Sequence, residues 1–435
     1  MAASETALPE NNDVFLRAVA QCGSQQPLKT SQAIFNAEGL KLIEGGQAVD
    51  PTLYERLTSH RLAAPIDESI EAETMVGAAS LVEAAEAAIK QWPFFAKMAE
   101  SDRDRHLLLE AIASVPLSKP VALQLTVMRS TQPALFQHSA MMGLLCAWLV
   151  KESGGKLQEM SLAAAAGVLH DIGMLHIDPA LLDPSQVLTA DELKPVYAHP
   201  TIASTILGRF WQYPKEVLRA VVEHHERLDG SGYPRALVGD AISPLGLVLA
   251  LAEVVTAMFD GVRQHPEPRV SLLLRINPRR YDAVHVAAVH GLLRALPPPA
   301  EGASASAAES VESLRRLDAL LTGWRLVSAE MMPRFTAAER TLVKPVNDQA
   351  DTLQRMLYEA GITPDQLGMV ADAAGDDAAL RVELWALARE LEWQLRATAN
   401  QLQRRWRAVD QRLPFPVAMA GWLEQVKALD GPVKG

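Results

Sequence analysis

Cysteine is almost absent from this chain. Cys22 and Cys146 are the only two in 435 residues, too few for a disulfide framework and without metal-ligand spacing. Cys146 sits in an apolar helical run, where a thiol is expected to be buried. Aromatic residues make up only 5%, while Ala- and Leu-rich segments recur, which favours helices over sheets. Runs of basic charge are missing as well. The 41 Lys and Arg are outnumbered by 52 Asp and Glu, for a net charge of −11. That balance excludes the basic face of a binder of nucleic-acid polymers and a general attraction to anionic membranes. The longest apolar stretch, near residues 244–259, is interrupted by Glu253 and is short for a membrane span. The N-terminal MAASETALPENN lacks the basic and apolar regions of a signal peptide. A cytoplasmic protein without membrane insertion is the expectation.

Hydrophobic residues are nonetheless 49% of the chain, enough for packed cores, and the length predicts two or three domains. Residues 1–30 read as a weakly ordered arm. Alternation over 39–44 followed by Gly45-Gly46 predicts a strand and turn. Asp50-Pro51 predicts a short helix to about Leu57, with Asp50 as N-cap. Residues 68–115 are helical in pattern. Together, 1–115 read as a small α/β to helical regulatory region, without the acidic pair and phosphoacceptor Asp of a receiver. Residues 116–296 form a helical block. Residues 297–308 are a Pro-, Ser- and Ala-rich linker. Residues 309–435 return to helical periodicity, strongest over 378–413, where Leu380, Leu384, Leu387, Leu391, Leu395, Leu402 and Trp406 recur near 3.5 spacing. A helical bundle and a homodimerising coiled coil are both open readings of that stripe.

The chemistry concentrates in 116–296. Residues 224–234 read His-His-Glu-Arg-Leu-Asp-Gly-Ser-Gly-Tyr-Pro, with His170-Asp171 upstream. His138 stands at the start of an apolar helix expected over 139–150, and His170-Asp171 closes one over 163–169. His199 precedes Pro200 and a helix over 201–207, and His224-His225 end one over 217–223. Glu253 interrupts an apolar helix over 247–258, where an unpaired carboxylate is costly. Singly, each has an ordinary alternative as a satisfied core histidine or a half-exposed acid. Jointly, five histidines and two carboxylates at helix ends and in apolar helices suit a site for more than one divalent metal. Imidazoles bind intermediate transition metals, and a carboxylate can bridge two of them.

From about residue 116 to 295 the chain resembles the HD-GYP phosphodiesterases, a branch of the HD superfamily of metal-dependent phosphohydrolases. The run from His224 to Pro234 carries the resemblance without a gap. By position, His138, His170, Asp171, His199, His224 and His225 are similar to the family's metal ligands, and Glu253 falls where the family has its last Asp. The resemblance implies a mainly α fold: an HD-domain helical bundle, here with a small α/β N-terminal region and an additional helical C-terminal region. It implies two divalent ions, iron or manganese. It also implies hydrolysis of cyclic di-GMP to pGpG or GMP by a metal-bridging hydroxide, with Asp171 as the bridge. The loop of Asp229, Gly230, Gly232, Tyr233 and Pro234, with Arg263 beyond it, would then meet substrate or a partner.

Three positions depart from the family pattern. Met174 replaces the lysine of His-Asp-x-Gly-Lys and removes a positive charge from the reaction site. Lys194, Arg227 and Arg263 are the nearby cations that could compensate. Glu253 replaces Asp and adds a methylene. Ala134 stands where members with three metals carry a Glu, so two ions are expected. The Arg-Pro-Tyr-Arg stretch usual after the last ligand is absent, and Val262-Arg263-Gln264-His265 stands there. Three functions follow as alternatives: a cyclic di-GMP phosphodiesterase; an adaptor with the same fold that binds cyclic di-GMP or a diguanylate cyclase domain without turnover; or a hydrolase of another phosphoester.

Overall fold

The computed structural model describes residues 13–182, 190–259, 266–277, 279–296, 306–359, 366–376, 378–409 and 416–430. It is mainly helical, with short strands near the N-terminus. The chain divides into two compact units. The first comprises Met1–Arg263 and Arg279–Leu296, the second Gln264–Pro278 and Pro297–Gly435. The expected linker lies largely outside the described residues.

In the first unit the described residues begin with α1 (Asp13–Gln25), where a weakly ordered arm was expected over 1–30; residues 1–12 lie outside the described residues. The reason is amphipathic: Phe15, Leu16, Val19, Ala20 and Cys22 form one buried stripe. Strands β1 (Leu28–Thr30), β2 (Ile34–Phe35) and β3 (Lys41–Ile43) follow, then α2 (Pro51–Thr58) and β4 (Ile70–Ala72). β1 pairs antiparallel with β4 and β2 with β3, two small ribbons rather than the parallel sheet of a receiver. Helices α3 (Ala78–Gln91), α4 (Pro93–Met98), α5 (Asp102–Ala113), α6 (Lys119–Thr131), α7 (Pro133–Glu152) and α8 (Leu157–Leu169) come next. α9 (Ala190–Leu207), α10 (Lys215–Glu223) and α11 (Pro244–Thr256) complete the block that carries the histidines.

The compact units do not part at residue 115, because α3 and α5 pack on α7 and α8 within the same body. Among the described residues α7 is the one helix long and apolar enough to cross a membrane. Its side chains serve a core instead: Phe136 and every residue from His138 to Leu149 are buried. α7 and α8 approach backbone to backbone. A Cβ on Gly167 would stand 2.8 Å from Gly143 N and Met142 O, so glycine is what lets the helix of His138 reach the helix that ends at His170.

The second unit takes α12 (Pro266–Ile276), although the chain enters it from α11 and returns to the first unit for α13 (Ala283–Arg294). It adds α14 (Ala307–Met331), α15 (Ala337–Glu359), α16 (Leu367–Asp376), α17 (Ala378–Val409) and α18 (Val417–Lys427). Arg269 of α12 pairs with Glu390 of α17. Leu384, Leu387, Leu391, Leu395, Leu402 and Trp406 of α17 are buried with Leu314, Leu321 and Trp324 of α14 and Trp422 of α18. The described leucines of the stripe are thus packed within their own unit as a bundle, and Leu413 lies outside the described residues. The indoles of Trp324 and Trp422 donate to Asn347 Oδ1 and Leu320 O, both at 2.8 Å.

Candidate metal centre

His138 lies in the second turn of α7, not at a helix start, because Pro133 opens that helix at its first position. His170 caps the C-terminus of α8, and Asp171 opens the 3-10 turn Ile172–His176. His224 caps α10, with His225 beyond it. His199 lies inside α9, which runs through both Pro195 and Pro200, whereas a helix beginning after Pro200 was expected. The site explains how this is tolerated. Pro200 has no N–H for the carbonyl of Val196, four residues back. That carbonyl instead accepts from His199 Nδ1, at 2.6 Å.

The same device recurs twice. His170 Nδ1 donates to Gly167 O at 2.7 Å, and His224 Nδ1 to Val221 O at 2.6 Å. A carbonyl can only accept, so each of these three rings carries a proton on Nδ1 and turns Nε2, the nitrogen left to ligate, into the interior. His199 Nε2 and His224 Nε2 lie 3.2 Å apart. Two ring nitrogens at that distance need a proton or a metal ion between them. Replacing Pro200 with alanine restores a competing N–H to Val196 O. It is expected to loosen the His199 ring and lower metal affinity about tenfold, read by competition with a chelator, with little change in helix content.

Two clusters with ligand atoms close enough to share an ion result: His138, His170 and Asp171 in one, His199, His224 and His225 in the other. Asp171 sits between them. Its Oδ2 is 3.3 Å from His170 Nε2, while its Oδ1 is 3.1 Å from His199 Nε2 and 3.6 Å from His224 Nε2. Glu253 joins the first cluster, with Oε2 at 3.2 Å from His138 Nε2 and 3.3 Å from His170 Nε2. The extra methylene of Glu253 therefore still delivers a carboxylate to the site.

The electrostatics favour a cation. Burial pushes the Asp171 carboxyl up, but His170 and His199 hold it well below the usual carboxylate range. Burial acts likewise on Glu253, and His138, His170 and His225 hold it well below that range. Burial pulls His170 down, yet Asp171 and Glu253 raise it to about 9. That pull on a proton is one a metal ion would feel. In the other cluster, burial and the neighbouring imidazoles keep His224 well below its ordinary value, and burial foremost lowers His225 to about 4. Neutral imidazoles are the ligating form. His170 Nε2 and Asp171 Oδ1 are fully buried without a well-formed hydrogen bond, which is rare unless something else satisfies them. The donor set fits two ions.

Gly173 makes the junction possible. A Cβ there would stand 2.2 Å from His199 O and 2.9 Å from Ala203 N, so the turn after Asp171 lies directly against α9. Met174 follows in that turn, half-buried, its N–H donating to Asp171 O at 2.9 Å. Of the cations considered as substitutes for a lysine, Lys194 is exposed on α9. Arg227 is engaged with the carbonyls of His224 and Glu226, at 3.3 and 2.8 Å, and lies over the Tyr281 ring. Arg263 lies outside the described residues.

The loop after His225 is held from beneath by Glu226, the carboxylate next to the two histidines, which in sequence counted as a feature of the metal site. Glu226 is fully buried, and its carboxylate accepts from Arg235 N at 2.7 Å and Leu237 N at 2.8 Å. Its neighbour in role, Glu223, is also buried and accepts from Ser243 N at 2.8 Å, fastening α10 to the start of α11. The signal available in sequence was an acid beside two histidines in an apolar helix. Asp229 Oδ1 accepts from Ser231 N at 3.0 Å, and Oδ2 from Arg280 Nε at 3.2 Å. Gly230 has φ +76, Gly232 packs against the backbone of His225 to Arg227, and the peptide joining Tyr233 to the exposed Pro234 is cis. Tyr233 stacks on His225 at 4.5 Å.

Residues 123–272 match the family model described as HD domain. This segment is an HD domain. It is homologous to cyclic-dinucleotide phosphodiesterases of the HD-GYP kind. The chain is 32% identical over 155 residues to 3′3′-cGAMP-specific phosphodiesterase 1 of Vibrio cholerae, covering 36% of this chain and 35% of that protein. It is 36% identical over 118 residues to the cyclic di-GMP phosphodiesterase response regulator RpfG of Xanthomonas campestris, covering 26% and 30%. It is 29% identical over 184 residues to the cyclic di-GMP phosphodiesterase PA4108 of Pseudomonas aeruginosa, covering 42% and 44%. In each case the match spans less than half of the relative. Among solved structures, Bd1817, an HDG"Y"P protein from Bdellovibrio bacteriovorus, aligns at 14% identity and a TM-score of 0.35, covering 62% of this chain and 94% of that one. The HD domain holds all seven histidine and carboxylate positions of the centre, from His138 to Glu253.

Proposed function

We propose that the chain is a two-metal phosphodiesterase of cyclic dinucleotides, hydrolysing cyclic di-GMP to pGpG or on to GMP. The observation that carries this is Asp171, whose two oxygens face two buried histidine clusters. In this reading His138, His170, Asp171 and Glu253 would hold one ion, and His199, His224 and His225, with Asp171 beside them, the other. Iron and manganese suit such a mixture of imidazole and carboxylate. Such ions lower the pKa of water and offset the charge that develops on phosphoryl oxygens. The chain's own residues supply position: Nδ1 anchors fix three rings, and Glu226 holds the loop that places Tyr233. Ala134 offers no ligand atom, in keeping with two ions rather than three. Relatives named for cyclic di-GMP and for 3′3′-cGAMP make these two dinucleotides the substrates to test.

Met174 supports a second reading, an adaptor that binds cyclic di-GMP or a diguanylate cyclase domain without appreciable turnover. A charge missing only from the transition state lowers kcat more than affinity. The deciding experiment assays the metal-loaded full chain on cyclic di-GMP beside Met174→Lys. The enzyme reading expects close to two ions per chain, a linearised product from the unmodified chain, and a kcat about 10–100-fold higher in the variant with little change in Kd. Intact dinucleotide after hours, with turnover appearing only in Met174→Lys, would select the adaptor.

A further inference from the structure

Three aromatic rings form a column that leads away from the metal centre. His225 stacks on Tyr233 at 4.5 Å between centroids and 24° between planes. Tyr233 stacks in turn on Tyr197, at 4.3 Å and 29°. The inner end of the column is fixed by backbone, since Tyr233 N donates to His225 O at 3.2 Å. The outer end is fixed by α9, which carries both Tyr197 and His199. His199 turns inward and is 2% exposed, whereas Tyr197 is 42% exposed. A large ring held nearly parallel on a second ring, and still open to solvent, is organised to receive a further planar group at small entropic cost.

We propose that Tyr197 is the stacking platform for a purine base of the substrate. The column would fix the base while the metal centre takes the phosphodiester of the same molecule. This rests on the reading of the site as one for cyclic dinucleotides, and it names the residue that supplies affinity for the base. It also assigns Tyr233 a positioning part, as the ring that holds Tyr197 at its angle. Every base has a π face, so stacking adds affinity without choosing between bases. The platform therefore serves cyclic di-GMP and 3′3′-cGAMP alike, and discrimination between them lies elsewhere.

The test compares the full-length protein with Tyr197→Leu and Tyr197→Phe. It measures metal content, KM and kcat on both dinucleotides, and quenching of an analogue carrying 2-aminopurine in place of one guanine. Tyr197→Leu is expected to raise KM by about 5–100-fold for both dinucleotides, with kcat nearly unchanged, both ions retained and the quenching lost. Tyr197→Phe restores all of these. A leucine variant with unaltered KM and quenching overturns the platform alone, as does one that loses metal together with KM and shows the residue to act only through His199. An unmodified protein that neither binds nor cleaves any cyclic dinucleotide overturns the substrate reading, and the platform with it.

Discussion

Replacing Asp171 with alanine is expected to disable both halves of the centre at once. Bound metal should fall from close to two ions per chain to well below one, and phosphodiester hydrolysis should drop on the order of a thousand-fold or more. The reason is positional. Every other acid or imidazole in the site serves one cluster, while Asp171 turns Oδ2 to His170 and Oδ1 to His199 and His224. Its charge, with that of Glu253, is also what the imidazole clusters themselves do not supply to a cation. Glu253→Gln, by contrast, should weaken only the cluster of His138 and His170 and leave close to one ion. Elemental analysis of the two purified variants separates these outcomes. An Asp171→Ala protein that still holds two ions would show that the carboxylate is not shared.

Gly173→Ala should damage both stability and metal binding, although glycine and alanine differ by a single methyl group. The added Cβ would meet His199 O at 2.2 Å and Ala203 N at 2.9 Å. Both are backbone atoms, so no rotamer change relieves the clash, and the turn after Asp171 must move away from α9. Overpacking of this kind costs about 1–3 kcal/mol. The displacement also acts along the 3.1 Å approach of Asp171 to His199. Affinity at the cluster of His199, His224 and His225 should therefore fall about 10–100-fold. Thermal unfolding with a chelator present reads the first effect, and metal titration of the apoprotein reads the second. Gly291→Ala, on a helix where a Cβ meets nothing within 4 Å, is the matched control and should be neutral to slightly stabilising. Equal behaviour of the two variants would remove Gly173 from the argument.

Much of the site was legible in the sequence because its chemistry depends on residue type. Only imidazole and carboxylate side chains ligate in this way, and the run from His224 to Pro234 is local enough to be read without a fold. Their convergence was an inference from order and helix ends. The structure brings His138, His170, Asp171, His199, His224, His225 and Glu253 together. Local expectations failed where a tertiary partner intervened. A helix was expected to begin after Pro200, but α9 runs through it because His199 satisfies the carbonyl that the proline strands. The first thirty residues were read as an arm, but α1 has a core to pack against. The leucine stripe of α17 left bundle and dimer seam both open, and its described leucines are packed among neighbouring helices of the same unit. Tyr197, and the part Glu226 plays beneath the loop, were not legible because burial beneath a loop and stacking between distant segments leave no periodic trace.

The sequence by itself determined that this protein is mainly helical and that it carries side chains able to ligate metal at helix ends and within apolar helices. Alanine and leucine content, apolar periodicity and ligand chemistry are properties of residues and their near neighbours. Only the tertiary structure decided that Asp171 stands between two clusters, that Glu253 reaches one of them despite its length, and that Arg227 is engaged with carbonyls. It alone decided that Tyr197 carries the column outward. These depend on the direction of side chains from helices far apart in the chain, as with His138 and Glu253, 115 residues distant and 3.2 Å in contact. Direction is set by how backbones pack, at contacts such as Gly167 on Gly143 and Gly173 on His199, and no local pattern encodes it.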